Sequence, residues 1–131
     1  AIHLEKTVIV PLHPRTKKII HTQSIPIDFI IIDPVGYLDM IALTSHTYMV
    51  LTDSGGLQKE AFFFGKYCLT MRDQTEWVEL VSGGFNSLVG ADTSKILDAY
   101  HEVQPENIHF EVPLYGDGSS AEKIIVGLRE L

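Results

Sequence analysis

The stretch Tyr48-Met49-Val50-Leu51-Thr52-Asp53-Ser54-Gly55-Gly56-Leu57-Gln58-Lys59-Glu60 decides how the rest of the chain is read. An apolar run leads in, two glycines make the turn, and an apolar-rich segment from Leu57 to Phe64 leaves. That order means strand, tight turn, helix start. Adjacent glycines let a backbone approach a ligand closely and adopt angles closed to other residues. The unpaired N–H groups of a helix's first turn, together with the helix dipole, make its tip an anion site. Asp53 or Ser54 suits the N-cap. Glu60 lies roughly 9 Å from Ser54 along the helix axis at the usual rise per residue. A phosphate at the tip and a carboxylate that far along can grip two parts of a nucleotide. The same residues also fit a plain capped helix with an exposed glutamate, and shape alone leaves both readings open.

Working outward, Lys6–Leu12, Phe29–Ile32, Tyr67–Met71 and Asn86–Val89 are expected to be further short strands. Helices are expected over Arg15–His21, Tyr37–His46, Ser54–Phe64, Glu76–Val81, Thr93–Val103 and Ala121–Leu131. Pro14 suits the first turn of the first helix, Gly65 a helix stop, and Thr93 an N-cap. Strands that alternate with helices and consist of continuous apolar runs predict an α/β, Rossmann-like domain over residues 1–131. Its parallel sheet would carry helices on both faces. Ligands of such sheets sit at the carboxyl ends of the strands. Those ends carry His13, Asp33, Asp53-Ser54, Arg72-Asp73 and Gly90 to Asp92.

The bulk properties narrow the function. With 131 residues, 45% of them hydrophobic, the chain can bury one domain's core. No apolar run approaches a membrane span, and no secretory signal is visible, although a chain opening on Ala1 leaves a removed segment possible. A net charge of −7 argues against nucleic acid as partner but leaves a nucleotide open. Cys68 is the sole cysteine, which excludes an internal disulfide and a cysteine zinc site and fits a reducing cytoplasm. His3, His21, His46, His101 and His109 show no mutual ligand spacing, so no metal is expected. There is no P-loop, since Lys59 stands outside that frame, and no Ser-His-Asp set. No cofactor is expected.

Three further clusters stand at strand or helix ends. In His13-Pro14-Arg15 both flanking side chains can face the ligand edge, and Arg15 can fork onto a phosphate or simply be solvated. Met71 to Glu79 packs Arg72, Asp73, Glu76, Glu79 and the only tryptophan, Trp77, into nine residues. Glu76 and Glu79 are spaced to share a helix face, which suits acid–base chemistry or a solvated surface. Trp77 can stack on a base or sugar, or pack in the core. Tyr115-Gly116-Asp117-Gly118 suits either a ligand-side loop or an ordinary turn before the last helix.

The motifs at Thr52–Glu60, Met71–Glu76 and Tyr115–Gly118, in that order behind His13-Pro14-Arg15, resemble the non-hydrolysing UDP-N-acetylglucosamine 2-epimerases. The resemblance covers essentially the whole chain. It implies the second of two Rossmann-like domains of a glycosyltransferase-B-like fold, a C-terminal fragment whose partner domain precedes it. Ser54, Gly55 and Gly56 would then hold the UDP phosphates and Glu60 the ribose. Met40 stands where an aromatic commonly meets the uracil. His13, Arg15, Arg72 and Trp77 complete the expected substrate-binding set. The usual T-E-R-P-E segment here is Thr75-Glu76-Trp77-Val78-Glu79, a departure that points to a subgroup handling a modified UDP-sugar. The family reaction inverts C2 by eliminating UDP and adding it back to a glycal. Its proton-moving carboxylates belong to the other domain, and a histidine to a further strand between Lys6–Leu12 and Tyr48–Thr52. No catalytic residue is therefore assigned here, and the isolated chain is expected to be inactive. Unpaired strand edges would favour a homo-oligomer. A UDP-sugar glycosyltransferase and a stand-alone interaction module remain the rival expectations.

Overall fold

The computed structural model describes residues 1–129, and the elements alternate as expected. In order they are β1 (Ile9–Pro11), α1 (Pro14–Thr22), β2 (Ile30–Ile32), α2 (Tyr37–His46), β3 (Met49–Thr52) and α3 (Gly55–Phe63). There follow β4 (Tyr67–Thr70), α4 (Val78–Ser82), β5 (Asn86–Leu88), α5 (Thr93–Glu102) and α6 (Ser120–Arg129). The last two residues expected in the final helix, Glu130 and Leu131, lie outside the described residues. Every strand pairing is parallel, and the architecture is Rossmann-like α/β.

One sheet is replaced by two ladders. β1 pairs with β2, and β3-β4-β5 form a second sheet with Met49 opposite Tyr67 and Cys68 opposite Asn86. Among the described residues β1 and β3 do not pair, and the break falls where the family resemblance expects a further strand.

The three-stranded sheet has helices on both faces because its side chains alternate. Met49, Tyr67 and Leu69 face α5 and pack with Val89 and Tyr100, while Val50 and Cys68 face α3 and pack with Ala61. A third cluster, Phe62, Leu80 and Phe85, joins α3 to α4. Gly65, at φ +64, ends α3 in the left-handed conformation that glycine tolerates.

Local hydrogen bonds explain the shifted boundaries. Asp92, not Thr93, caps α5 by accepting from the Lys95 amide. α4 begins at Val78 rather than Glu76 because the Thr75 hydroxyl accepts the Trp77 amide and holds that segment in a turn.

Candidate functional site

Because all strands run parallel, each ladder presents its carboxyl ends on one edge. At the end of β3, Ser54 caps α3 and its hydroxyl accepts from the Leu57 amide at 3.5 Å. The Thr52 hydroxyl accepts the Ser54 amide at 3.0 Å, which fixes the turn from strand into helix. Gly55 and Gly56 then form the first helical residues and leave the helix tip open to an anion.

Neither glycine has a positive φ, which corrects the expectation of unusual backbone angles. The value of Gly55 is space. A Cβ on Gly55 would run into the Glu76 carboxylate, while Gly56 has nothing around that position. Glu76 stands there because Arg72 Nη1 donates to it at 3.0 Å. Glu76 and Glu79 therefore do not share a face as their spacing suggested. Glu76 precedes α4 and pairs with Arg72, whereas Glu79 lies beside the Tyr115 hydroxyl.

Under the tip lies a polar network that sequence spacing did not pick out. Gln58 is fully buried and sits at its centre. Its Nε2 donates to the Ser54 carbonyl at 3.2 Å, and its Oε1 accepts from Thr75 Oγ1 at 2.6 Å and Asn86 Nδ2 at 3.1 Å. Thr70 Oγ1 donates to Asn86 Oδ1 at 2.8 Å. A satisfied buried network of this kind rigidifies its surroundings. The available signal was a polar residue on the helix face that otherwise carries Ala61 and Phe62 inward.

Lys59 is likewise unanticipated. Its ammonium stands 4.1 Å from the Tyr115 ring centroid and 4.6 Å from that of Trp77. The Trp77 indole N–H donates to the Gly55 carbonyl at 2.8 Å. The Tyr115 hydroxyl is buried without a well-aligned hydrogen bond; that burial, and then the Glu79 carboxylate, raise its pKa. Asp117 is held down at about 2, chiefly by the Ser119 hydroxyl and amide and then by Lys123. Burial pushes the Cys68 thiol up to about 11.

The remaining expected residues are more dispersed. Glu60 lies half-exposed on α3 and forms no ion pair among the described residues. Met40 lies on α2, which packs against α3. His13 caps α1 by accepting from the Arg15 amide at 3.3 Å, and Arg15 is exposed. A groove of about 480 Å³ runs between Phe63, Phe110, Pro113 and Gly116, but of the expected motifs it touches only Tyr115 and Gly116. The helix tip is thus an open ledge. Among the described residues no cluster of three or more His, Cys, Asp or Glu can hold a metal, and no helix is long and apolar enough to cross a membrane.

Residues 1–129 match the family model described as UDP-N-acetylglucosamine 2-epimerase. The chain belongs to this family. It is 50% identical over 124 residues to UDP-2,3-diacetamido-2,3-dideoxy-D-glucuronate 2-epimerase of Pseudomonas aeruginosa, covering 95% of this chain and 35% of that protein. It also resembles the solved UDP-GlcNAc 2-epimerase of Methanocaldococcus jannaschii in complex with UDP-GlcNAc and UDP. That match has a TM-score of 0.79 at 35% identity and covers 98% of this chain and 37% of the other. The Neisseria meningitidis UDP-GlcNAc 2-epimerase bound to UDP-GlcNAc is similar with a TM-score of 0.73 at 32% identity, over 95% of this chain and 36% of that one. The chain therefore spans about a third of the length of the 2-epimerases it matches.

Proposed function

We propose that this chain is the UDP-binding, C-terminal domain of a UDP-sugar 2-epimerase, and that the α3 tip is its diphosphate site. Ser54, Gly55 and Gly56 present the tip to the phosphates, and Glu60 takes the ribose hydroxyls. Met40 borders the base, while Arg72, Arg15 and His13 supply donors from neighbouring strand ends. The observation that carries this reading is the capped tip of α3, held from below by Gln58 with Arg72 beside it. An open ledge suits a domain whose ligand is enclosed by a second domain.

In this reading the domain binds and orients UDP while the sugar is inverted at C2 through elimination and re-addition of UDP. The proton-moving groups come from the preceding domain, so the isolated chain turns nothing over. The complete protein works in the cytoplasm as a homo-oligomer. A titration of the complete protein with UDP is expected to protect Ser54–Glu60 from hydrogen exchange; unchanged protection there overturns the site. A coupled epimerase assay on the 131-residue chain is expected to be blank, and turnover would overturn the assignment of chemistry to the other domain.

Within this reading the sugar is a 2,3-diacetamido uronic acid rather than N-acetylglucosamine. The support is the 50% identity to the Pseudomonas aeruginosa enzyme, together with Trp77-Val78 in place of the usual Arg-Pro. Kinetics of the complete protein on both UDP-sugars decide it, and a preference for UDP-N-acetylglucosamine would contradict it.

A further inference from the structure

Trp77 connects three segments that are remote in sequence. Its indole N–H donates to the Gly55 carbonyl. Its ring face receives the Lys59 ammonium, and its edge meets Tyr115 at 6.0 Å with the planes 89° apart. Its backbone N–H donates to Thr75 Oγ1 at 3.2 Å, the hydroxyl that in turn donates to Gln58. The α3 tip, the turn after β4 and the Tyr115 loop are all fastened through this one residue.

The direction of the hydrogen bond decides what the indole does. In an α-helix the carbonyls point toward the C-terminus, whereas the free N–H groups of the first turn point out of the N-terminal end. A donor to the Gly55 carbonyl therefore grips the flank of the helix, behind the N–H groups that face an anion. Lys59, one turn further on, lies along the same side and takes the ring face. The N–H that would reach a ligand is already used on the protein.

We infer that Trp77 is a positioning residue for the diphosphate site, setting the α3 tip against Arg72 by holding Gly55 and Lys59 without touching the nucleotide. The inference rests on the UDP reading of the α3 tip. Its consequence is that the residue standing where the usual motif has arginine acts here through the helix.

The test uses the complete protein. Trp77→Phe keeps a ring for Lys59 and removes the donor to Gly55. The Kd for UDP and the KM for the UDP-sugar are expected to rise about tenfold, the scale of one well-made hydrogen bond, with kcat changing less than about threefold. The melting temperature is expected to move by no more than about 4 °C. Lys59→Met, which removes only the ammonium, is expected to raise KM about threefold and gives an independent reading should Trp77→Phe fold poorly. A wild-type Kd and KM in folded Trp77→Phe overturn the positioning role while leaving the UDP site intact. A fall in kcat with KM unchanged also overturns it, since that pattern belongs to a group touching the reacting sugar. Failure of the unmodified protein to bind UDP overturns both readings together.

Discussion

The two ladders are built from similar apolar runs and yet are buried very differently. The sheet of β3, β4 and β5 is well covered, with Met49, Val50 and Tyr67 buried, Leu69 and Cys68 almost inaccessible, and helices on both faces. In β1 and β2, by contrast, Ile9 and Ile30 remain 45% and 51% exposed, and Leu12 is the one buried hydrophobic residue before Met49. The α6 helix resembles β1 and β2 in this respect, since Ile124, Ile125, Val126 and Leu128 all lie open. Apolar sequence alone does not make a core; it needs facing surface. The α3 tip stands on the well-packed side, and this is why the hydrogen bonds beneath it can be specific.

The largest expected effect breaks that contrast directly. Leu69→Ala should cost about 2–5 kcal/mol in urea denaturation of the chain, whereas Ile30→Ala should cost less than about 1 kcal/mol. Equal costs would mean that both ladders are equally cored. Next comes Gln58→Leu, which takes away the acceptor of the buried Asn86 Nδ2 and of the part-buried Thr75 hydroxyl proton. A loss of about 1–3 kcal/mol is expected, together with weaker UDP binding by the complete protein. A neutral result would show that the network under the tip contributes nothing.

Ser54→Ala should be milder, at about 1 kcal/mol for a lost N-cap, yet should weaken UDP binding disproportionately. Loss of stability without loss of affinity would separate the cap from the ligand site. The smallest effect concerns the Tyr115 loop. Asp117 has a folded pKa of about 2 against an ordinary value of 3.8, so its contribution is present above about pH 4 and is lost as pH falls through 2. Amide shifts at Ser119 and Lys123 should move in that window, while β4 amides should not. Movement at higher pH would contradict the Ser119 and Lys123 pairing.

Much of this was legible in the sequence because the signals are local. Tyr37–His46 forms a helix with the expected bounds, and Met49 through Phe63 is strand, turn and helix. The Ser54 cap and the Gly65 stop follow from side-chain chemistry within a few residues. The split of the sheet was not legible in the apolar runs, which say which residues want burial and not which edge they meet; the family resemblance alone, with its further strand between Lys6–Leu12 and Tyr48–Thr52, pointed to it. Gln58 escaped notice for a related reason: its partners Thr75 and Asn86 are 17 and 28 residues away. Glu76 and Glu79 looked like a pair because helical spacing was extended through Trp77, where the Thr75 turn prevents it.

The proposed site stands or falls on whether the α3 tip grips a nucleotide diphosphate. Hydrogen exchange on the complete protein, with and without saturating UDP, addresses this residue by residue. Slowed exchange is expected at Gly55, Gly56 and Leu57, with no change at Phe110 and Val112 along the apolar groove. Protection confined to that groove, or an α3 tip indifferent to UDP, would contradict the proposed site.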